Sequence, residues 1–213
     1  MLQTILTSIL GPMLWGTSYV NFTELLPVDH PFFVGAIRAL AGGLVLLALN
    51  PRIPSPIVMA RYAVLGFLNM ALFFALLFVA AGRMPGGLAA TLGAVQPLVV
   101  IALSSILIRR LPHPVQVLAG IAGVVGVALL VLSPSEHKPD LVGVLAAIGG
   151  TCSMAVGTVL IDHWGRDGKP LEMATWQLIL GGVILLPVAW IKEGLPAVPD
   201  GPALAGYAWL VLL

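Results

Sequence analysis

The sequence predicts an all-α integral membrane protein built from inverted five-helix repeats. Three observations carry that expectation. Of the 213 residues, 59% are hydrophobic and only 9% charged, where an ordinary soluble domain is about 25% charged. Apolar runs long enough to cross about 30 Å of hydrocarbon recur along the chain, separated by short turn-rich breaks. The stretch Pro31 to Ala48, PFFVGAIRALAGGLVLLA, is also echoed at Pro170 to Pro187, PLEMATWQLILGGVILLP, at a constant offset of 139 residues. The echo keeps the leading proline, the Gly-Gly pair and the two leucines that follow it. An internal repeat on this scale organises the whole chain.

The elements follow in order. Helices are expected at roughly 3–22, 31–49, 60–81, 87–108, 114–132, 141–161 and 171–191, with an eighth run opening near Ala203. The N-terminal run MLQTILTSILGPMLWG lacks the basic start and small-residue cleavage site of a signal peptide, so it reads as the first span. Gly16-Thr17 in helix 1 recurs as Gly157-Thr158 in helix 6, and Gly66-Phe67 in helix 3 as Gly206-Tyr207 in helix 8. The repeat unit is then five helices, an odd number, so the second copy enters the membrane from the opposite side. Secondary transporters use this architecture to alternate access around a midplane site. Residues 1–135 form the first unit and 140–213 the second, cut within its third helix. Ten helices are expected, about seven and a half are present, and about 60 residues would complete the symmetry.

The breaks hold nearly all the charge, and their Lys and Arg set orientation. Arg52, Arg61, Arg109, Arg110, Arg166 and Lys169 follow helices 2, 4 and 6, whereas Arg83, Lys138 and Lys192 follow helices 3, 5 and 7. The imbalance puts the N-terminus in the cytoplasm. Tyr62, Trp164 and Trp190 fall at helix ends as interfacial anchors. A net charge of +1 offers no field for nucleic acid, and the single cysteine, Cys152, excludes a disulfide framework or a multi-cysteine metal site.

Polar residues inside apolar runs are the candidate site. Arg38 is the one charge well inside a predicted span, about 12 Å into helix 2, where a cation costs at least ~2.5 kcal/mol without a wet cavity or a partner. It either contacts a polar or anionic solute, or snorkels outward or pins neighbouring carbonyls. Gln177 holds the matching position in the second copy. On helix 1, Ser8, Gly11, Trp15, Ser18, Tyr19 and Phe22 share a face that suits a solute pathway or plain helix packing. Pro97, inside helix 4, frees the carbonyl of Gly93, places Gln96 beside the break and makes a candidate hinge. Asn69 and Trp176 are further lining candidates. Gly120, Gly123 and Gly126 read as a packing ladder.

No Asp, Glu or His lies near the middle of helices 1 to 7, so an intramembrane carboxylate relay has no candidate there. Paired carboxylates, or a nucleophile with its base, are likewise missing at membrane depth, which weighs against an enzyme. Cys152 lacks a nearby His or acid and reads as a small buried residue. Without a Gly-Lys phosphate loop, ATP is not the energy source and no cofactor is expected.

Several stretches resemble the EamA-type transporters of the drug/metabolite transporter superfamily. These are Leu14 to Val20 (LWGTSYV), Pro31 to Leu40 with Arg38, Leu88 to Pro97 (LAATLGAVQP) and Gly120 to Val131 (GIAGVVGVALLV). The resemblance implies ten helices from two five-helix repeats and a secondary transporter of the bacterial inner membrane, exporting small polar metabolites such as amino acids. One departure stands out, because the family often carries an acid after the fourth helix and this chain reads Ile108-Arg109-Arg110-Leu111. A sugar or drug carrier of the same superfamily stays open, as do a truncated, non-transporting membrane protein and pairing into a homodimer.

Overall fold

The computed structural model describes residues 13–14, 16–18, 20–107, 112–132, 140–164 and 170–212. Helix α1 is helical at 13–14, 16–18 and 20–25. It is followed by α2 (Pro31–Leu49), α3 (Pro56–Gly66), a π-helical turn (Phe67–Leu72), α4 (Phe73–Ala81), α5 (Gly86–Gly93) and α6 (Gln96–Leu107). The chain continues through α7 (Pro114–Leu132), α8 (Leu141–Trp164), α9 (Pro170–Glu193) and α10 (Gly201–Leu212). Among the described residues, four helical stretches are long and apolar enough to cross a membrane: Pro31–Leu49, Pro56–Ala81, Leu141–Trp164 and Pro170–Glu193. The chain is an all-α integral membrane protein.

Proline opens α2, α3, α7 and α9, where its missing N–H costs nothing and its fixed φ suits a first turn. Carboxylates begin two others: Asp140 Oδ1 accepts from Val142 N at 3.2 Å, and Asp200 Oδ1 from Ala203 N at 2.9 Å. α9 stops at Gly194, whose φ of 74° suits glycine and whose N–H returns to the Trp190 carbonyl.

Two expected spans carry irregularities. The third starts at Pro56, four residues before the expected position, and holds the π-helical turn midway. The fourth is broken: α5 ends at Gly93, and Ala94 N and Val95 N bond back to Thr91 and Leu92 carbonyls in i→i−3 fashion before α6 starts at Gln96. Pro97 causes the break, because it cannot donate to the Gly93 carbonyl and sits unstrained only in the first turn of a new helix.

The core is built where spans cross. Phe22 of α1 and Leu26 just after it, Val34 and Ala39 of α2, Phe74 and Phe78 of α4, Ala146 of α8, Leu185 of α9 and Leu210 of α10 share one apolar cluster. Phe22, read above with the helix 1 pathway face, is instead fully buried with its ring 4.8 Å from that of Phe78. α7 presents Val115, Leu118, Ile121, Val124 and Leu129 outward, as a lipid-facing helix does. Only part of its glycine ladder is used, since Gly120 and Gly123 make room for Leu98 whereas Gly126 faces open space.

The two copies of the repeated stretch lie against each other, antiparallel. Near one end, Phe32 and Phe33 of α2 meet Glu193 of α9; near the other, Arg52 meets Trp176. Between them the contacts are reciprocal. A Cβ on Gly43 would lie 2.9 Å from the backbone nitrogen of Ile179, and one on Gly182 would lie 2.9 Å from that of Leu40. The offset of 139 that turns Gly43 into Gly182 also turns Leu40 into Ile179. Gly42 likewise faces the Val211 carbonyl while Gly181 faces the Ala71 nitrogen. Residue i touching j while the copy of j touches the copy of i is the contact pattern of a twofold axis.

Candidate functional site

The Gly-Gly crossing brings two polar clusters into an otherwise apolar interior. One turn before Gly42 on α2 stands Arg38, only 4% exposed. Its Nη1 donates to Ser18 Oγ of α1 at 3.3 Å, and its guanidinium carbon lies 4.9 Å from the centre of the Phe74 ring. Both contacts help hold a cation away from water, the hydroxyl as an acceptor and the ring through its negative face. Ser18 is itself buried, so this cluster belongs to the interior and not to a snorkelling arginine.

Gln177 occupies the equivalent place on α9, one turn before Gly181, and is 3% exposed. Its Oε1 accepts from Asn69 Nδ2 at 2.9 Å. Asn69 lies within the π-helical turn, is equally covered, and its Oδ1 has no hydrogen-bond partner among the described residues. The turn is held from a third helix, because Ser153 Oγ of α8 donates to the Leu68 carbonyl at 2.7 Å. Such turns recur at functional positions in helices. Gly157 allows Asn69 its place, since a Cβ there would run into the Asn69 carboxamide. Because α2 and α9 are antiparallel, Arg38 and Gln177 stand on opposite sides of the crossing, about 10 Å apart along it at 1.5 Å per residue.

The other expected site residues are spread more widely. Trp15, Ser8, Gly11 and Tyr19 lie outside the described residues. Trp176 is half-buried and spends its indole N–H on the Arg52 carbonyl at 2.8 Å, beyond the C-terminal end of α2. Gln96 is half-buried at the helix 4 break, with Pro97 exposed beside it. Next to that break lies a cavity of about 160 Å³ lined by Leu92, Val95, Val99, Val124, Ile148, Thr151 and Cys152. The Thr151 hydroxyl is occupied by the Ala147 carbonyl, so the walls offer a solute almost nothing but apolar surface. The structure thus brings Arg38 to Ser18 and Asn69 to Gln177, and bonds Trp176 to the Arg52 carbonyl.

Three features have no counterpart in the sequence reading: the Phe74 ring over Arg38, the Ser153 bond to the π-helical turn, and the Glu193 carboxylate at the start of α2. Phe74 and Ser153 are ordinary residues in apolar runs, and only tertiary contact marks them. Glu193 carried a visible signal, an acid at the end of a span, but its target lies 160 residues away in the chain.

The model of the EamA-like transporter family matches residues 2–132 and 141–213. The protein PecM of Dickeya dadantii is 40% identical over 95% of this chain and 68% of its own length. An uncharacterized transporter of Synechocystis, sll0355, is 30% identical over 90% of this chain and 64% of its own. The uncharacterized transporter YvbV of Bacillus subtilis is 28% identical, over 87% and 62%. A crystal structure of a protein 21% identical in sequence superposes with a TM-score of 0.65, covering 94% of this chain and 75% of that one, which speaks to the fold. The chain therefore spans about two thirds of the length of the curated relatives it matches. With the family model matching almost every residue and a 40% identical relative covered over two thirds, this chain belongs to the EamA-like transporter family.

Proposed function

We propose that this protein is a secondary transporter that exports small polar metabolites, of which amino acids are the first class to test, across a bacterial inner membrane by alternating access. Residues 1–135 and 140–213 belong to two inverted halves, and the N-terminus faces the cytoplasm. The observation that carries the reading is the placement of Arg38 and Gln177. They are equivalent positions of two packed copies, both buried, on either side of one crossing point. A buried cation and a buried carboxamide pair offer a solute charge on one side and neutral hydrogen bonding on the other, at the interface between repeats where secondary transporters place their sites. Ser18 and Asn69 hold these two groups in place, Trp15 and Trp176 add apolar surface, and the break at Pro97 gives helix 4 the compliance to switch.

Transport of radiolabelled amino acids by the full-length protein in proteoliposomes tests the reading. Arg38→Ala is expected to cut transport by more than about tenfold, the cost of losing a charge-assisted contact. Unchanged transport in that variant removes Arg38 from the site, and a carrier of sugars or apolar drugs is favoured where movement of those solutes survives Arg38→Ala and is abolished by Trp15→Ala. No movement of any solute by the wild-type protein defeats the transport reading itself.

A further inference from the structure

The break in helix 4 leaves a pocket with apolar walls. Because α5 ends at Gly93 and α6 starts at Gln96, its wall residues Leu92, Val95 and Val99 come from before, within and after the interruption. From the other side α7 contributes Val124, and α8 contributes Ile148, Thr151 and Cys152. α7 closes on α6 where Gly120 and Gly123 admit Leu98, and Val124, the next residue along, stands at the rim.

The pocket has a mouth and a floor. Val124 and Ile148 are 51% and 46% exposed, whereas Leu92 and Thr151 are 4% and 5% exposed. The mouth therefore opens sideways between α7 and α8, on the outward side of α7. It also opens at mid-depth. Thr151 stands ten residues after Leu141, and Val124 ten after Pro114, so each lies about 15 Å along its helix, half of the roughly 30 Å of hydrocarbon that a span crosses.

Wall chemistry and depth together define the occupant. A buried water needs two to four polar partners, and the Thr151 hydroxyl already gives its hydrogen to the Ala147 carbonyl at 2.8 Å. Outside the mouth, at the bilayer centre, the medium is the ends of lipid acyl chains. The volume of about 160 Å³ is that of an apolar cavity able to hold a benzene ring, which is room for about six carbons.

We infer that this pocket is a lipid site, which takes the end of one acyl chain from the bilayer and seats it against the break in helix 4. The chain supplies the dispersion contacts that Leu92, Val95 and Val99 lack on their open side. The lipid head group, about 15 Å away at the interface, takes no part in recognition. This site goes beyond the transport reading and does not depend on it.

The test places the full-length protein in phosphatidylcholine vesicles containing a phosphatidylcholine with a photoreactive diazirine at the terminal carbon of one chain. After irradiation, adducts are located by peptide mass spectrometry. Adducts are expected at the floor residue Leu92 and at Val95 or Cys152, as well as on Leu118 of the outward face of α7. A lipid with its diazirine beside the glycerol is expected to label the floor at least about tenfold less, because that carbon stays near the interface. Val124→Phe, which puts a ring at the mouth, is expected to cut floor adducts about fivefold and to leave those on Leu118 unchanged, since a filled pocket has no room for the chain. Val99→Phe fills the pocket from α6 and serves if the first variant does not fold. Adducts confined to outward residues, as when a second copy of the chain covers the mouth, overturn the lipid site. Floor adducts that persist in both variants, or that form equally with the glycerol-proximal probe, overturn it as well.

Discussion

A single methyl group would test how the second polar cluster is held. Gly157 faces the Asn69 carboxamide so closely that a Cβ would overlap it. Gly157→Ala is therefore expected to destabilise the protein by about 1–3 kcal/mol, the usual cost of overpacking, seen as a lower melting temperature in detergent. Combining it with Asn69→Ala is expected to recover part of that loss, since the two changes act on one contact and are not additive. Much at this scale was legible in the chain itself. Arg38, Asn69 and Gln177 stand out because a polar side chain inside an apolar run needs a reason to be there. Their surroundings were hidden for an equally physical cause. Ser18 and Phe74 reach Arg38 from other helices, and nothing local to either residue says so.

Two glycines side by side make the crossing of α2 and α9, yet they do not carry equal weight. A Cβ on Gly42 would find its nearest neighbour at 3.7 Å, whereas one on Gly43 would meet the Ile179 side chain at 2.7 Å and backbone nitrogen at 2.9 Å. Gly43→Ala is expected to lower the melting temperature distinctly and Gly42→Ala scarcely, a ranking that equal losses would contradict. Helix 4 offers the opposite case. Pro97→Ala lets the Gly93 carbonyl regain its helical partner, so the variant is expected to be at least as stable as the parent while transporting more slowly. Transport at the parental rate would take the hinge role from that break. The sequence exposed this interruption because proline leaves a chemical mark. It concealed the one in helix 3, because Phe67 to Leu72 contains neither glycine nor proline and the turn is fixed from outside by Ser153 and Gln177.

At the scale of the whole molecule, the Arg83–Asp140 pair joins the ends of two spans through a group that titrates. The hydrogen bond from Arg83, helped by the Val142 amide, holds the Asp140 carboxyl below the ordinary carboxylate range. A depressed carboxylate contributes fully above its unfolded value and loses that contribution as pH falls through the lowered folded one. The Arg83–Asp140 link is thus expected to be constant through neutral pH and to fail only below about pH 4. Asp140→Asn is expected to abolish that acid dependence and to leave the neutral melting temperature almost unmoved, as exposed pairs do. Span order and the pairing of the two copies followed from hydropathy and the repeat, because both are written as periodic patterns. Which span lies beside which did not, since an apolar surface fits lipid and protein alike. The π-helical turn in the third span has a genetic corollary. It houses one residue more than an uninterrupted α-helix would, so a deletion of one codon within it would heal the backbone. Phe73 to Ala81 would stay nearly in phase, with the aromatic ring still over Arg38, and the loss would fall on the turn itself, where the Asn69 carboxamide would leave its place against Gln177. A one-residue deletion here should therefore leave the bundle assembled while dismantling the second polar cluster.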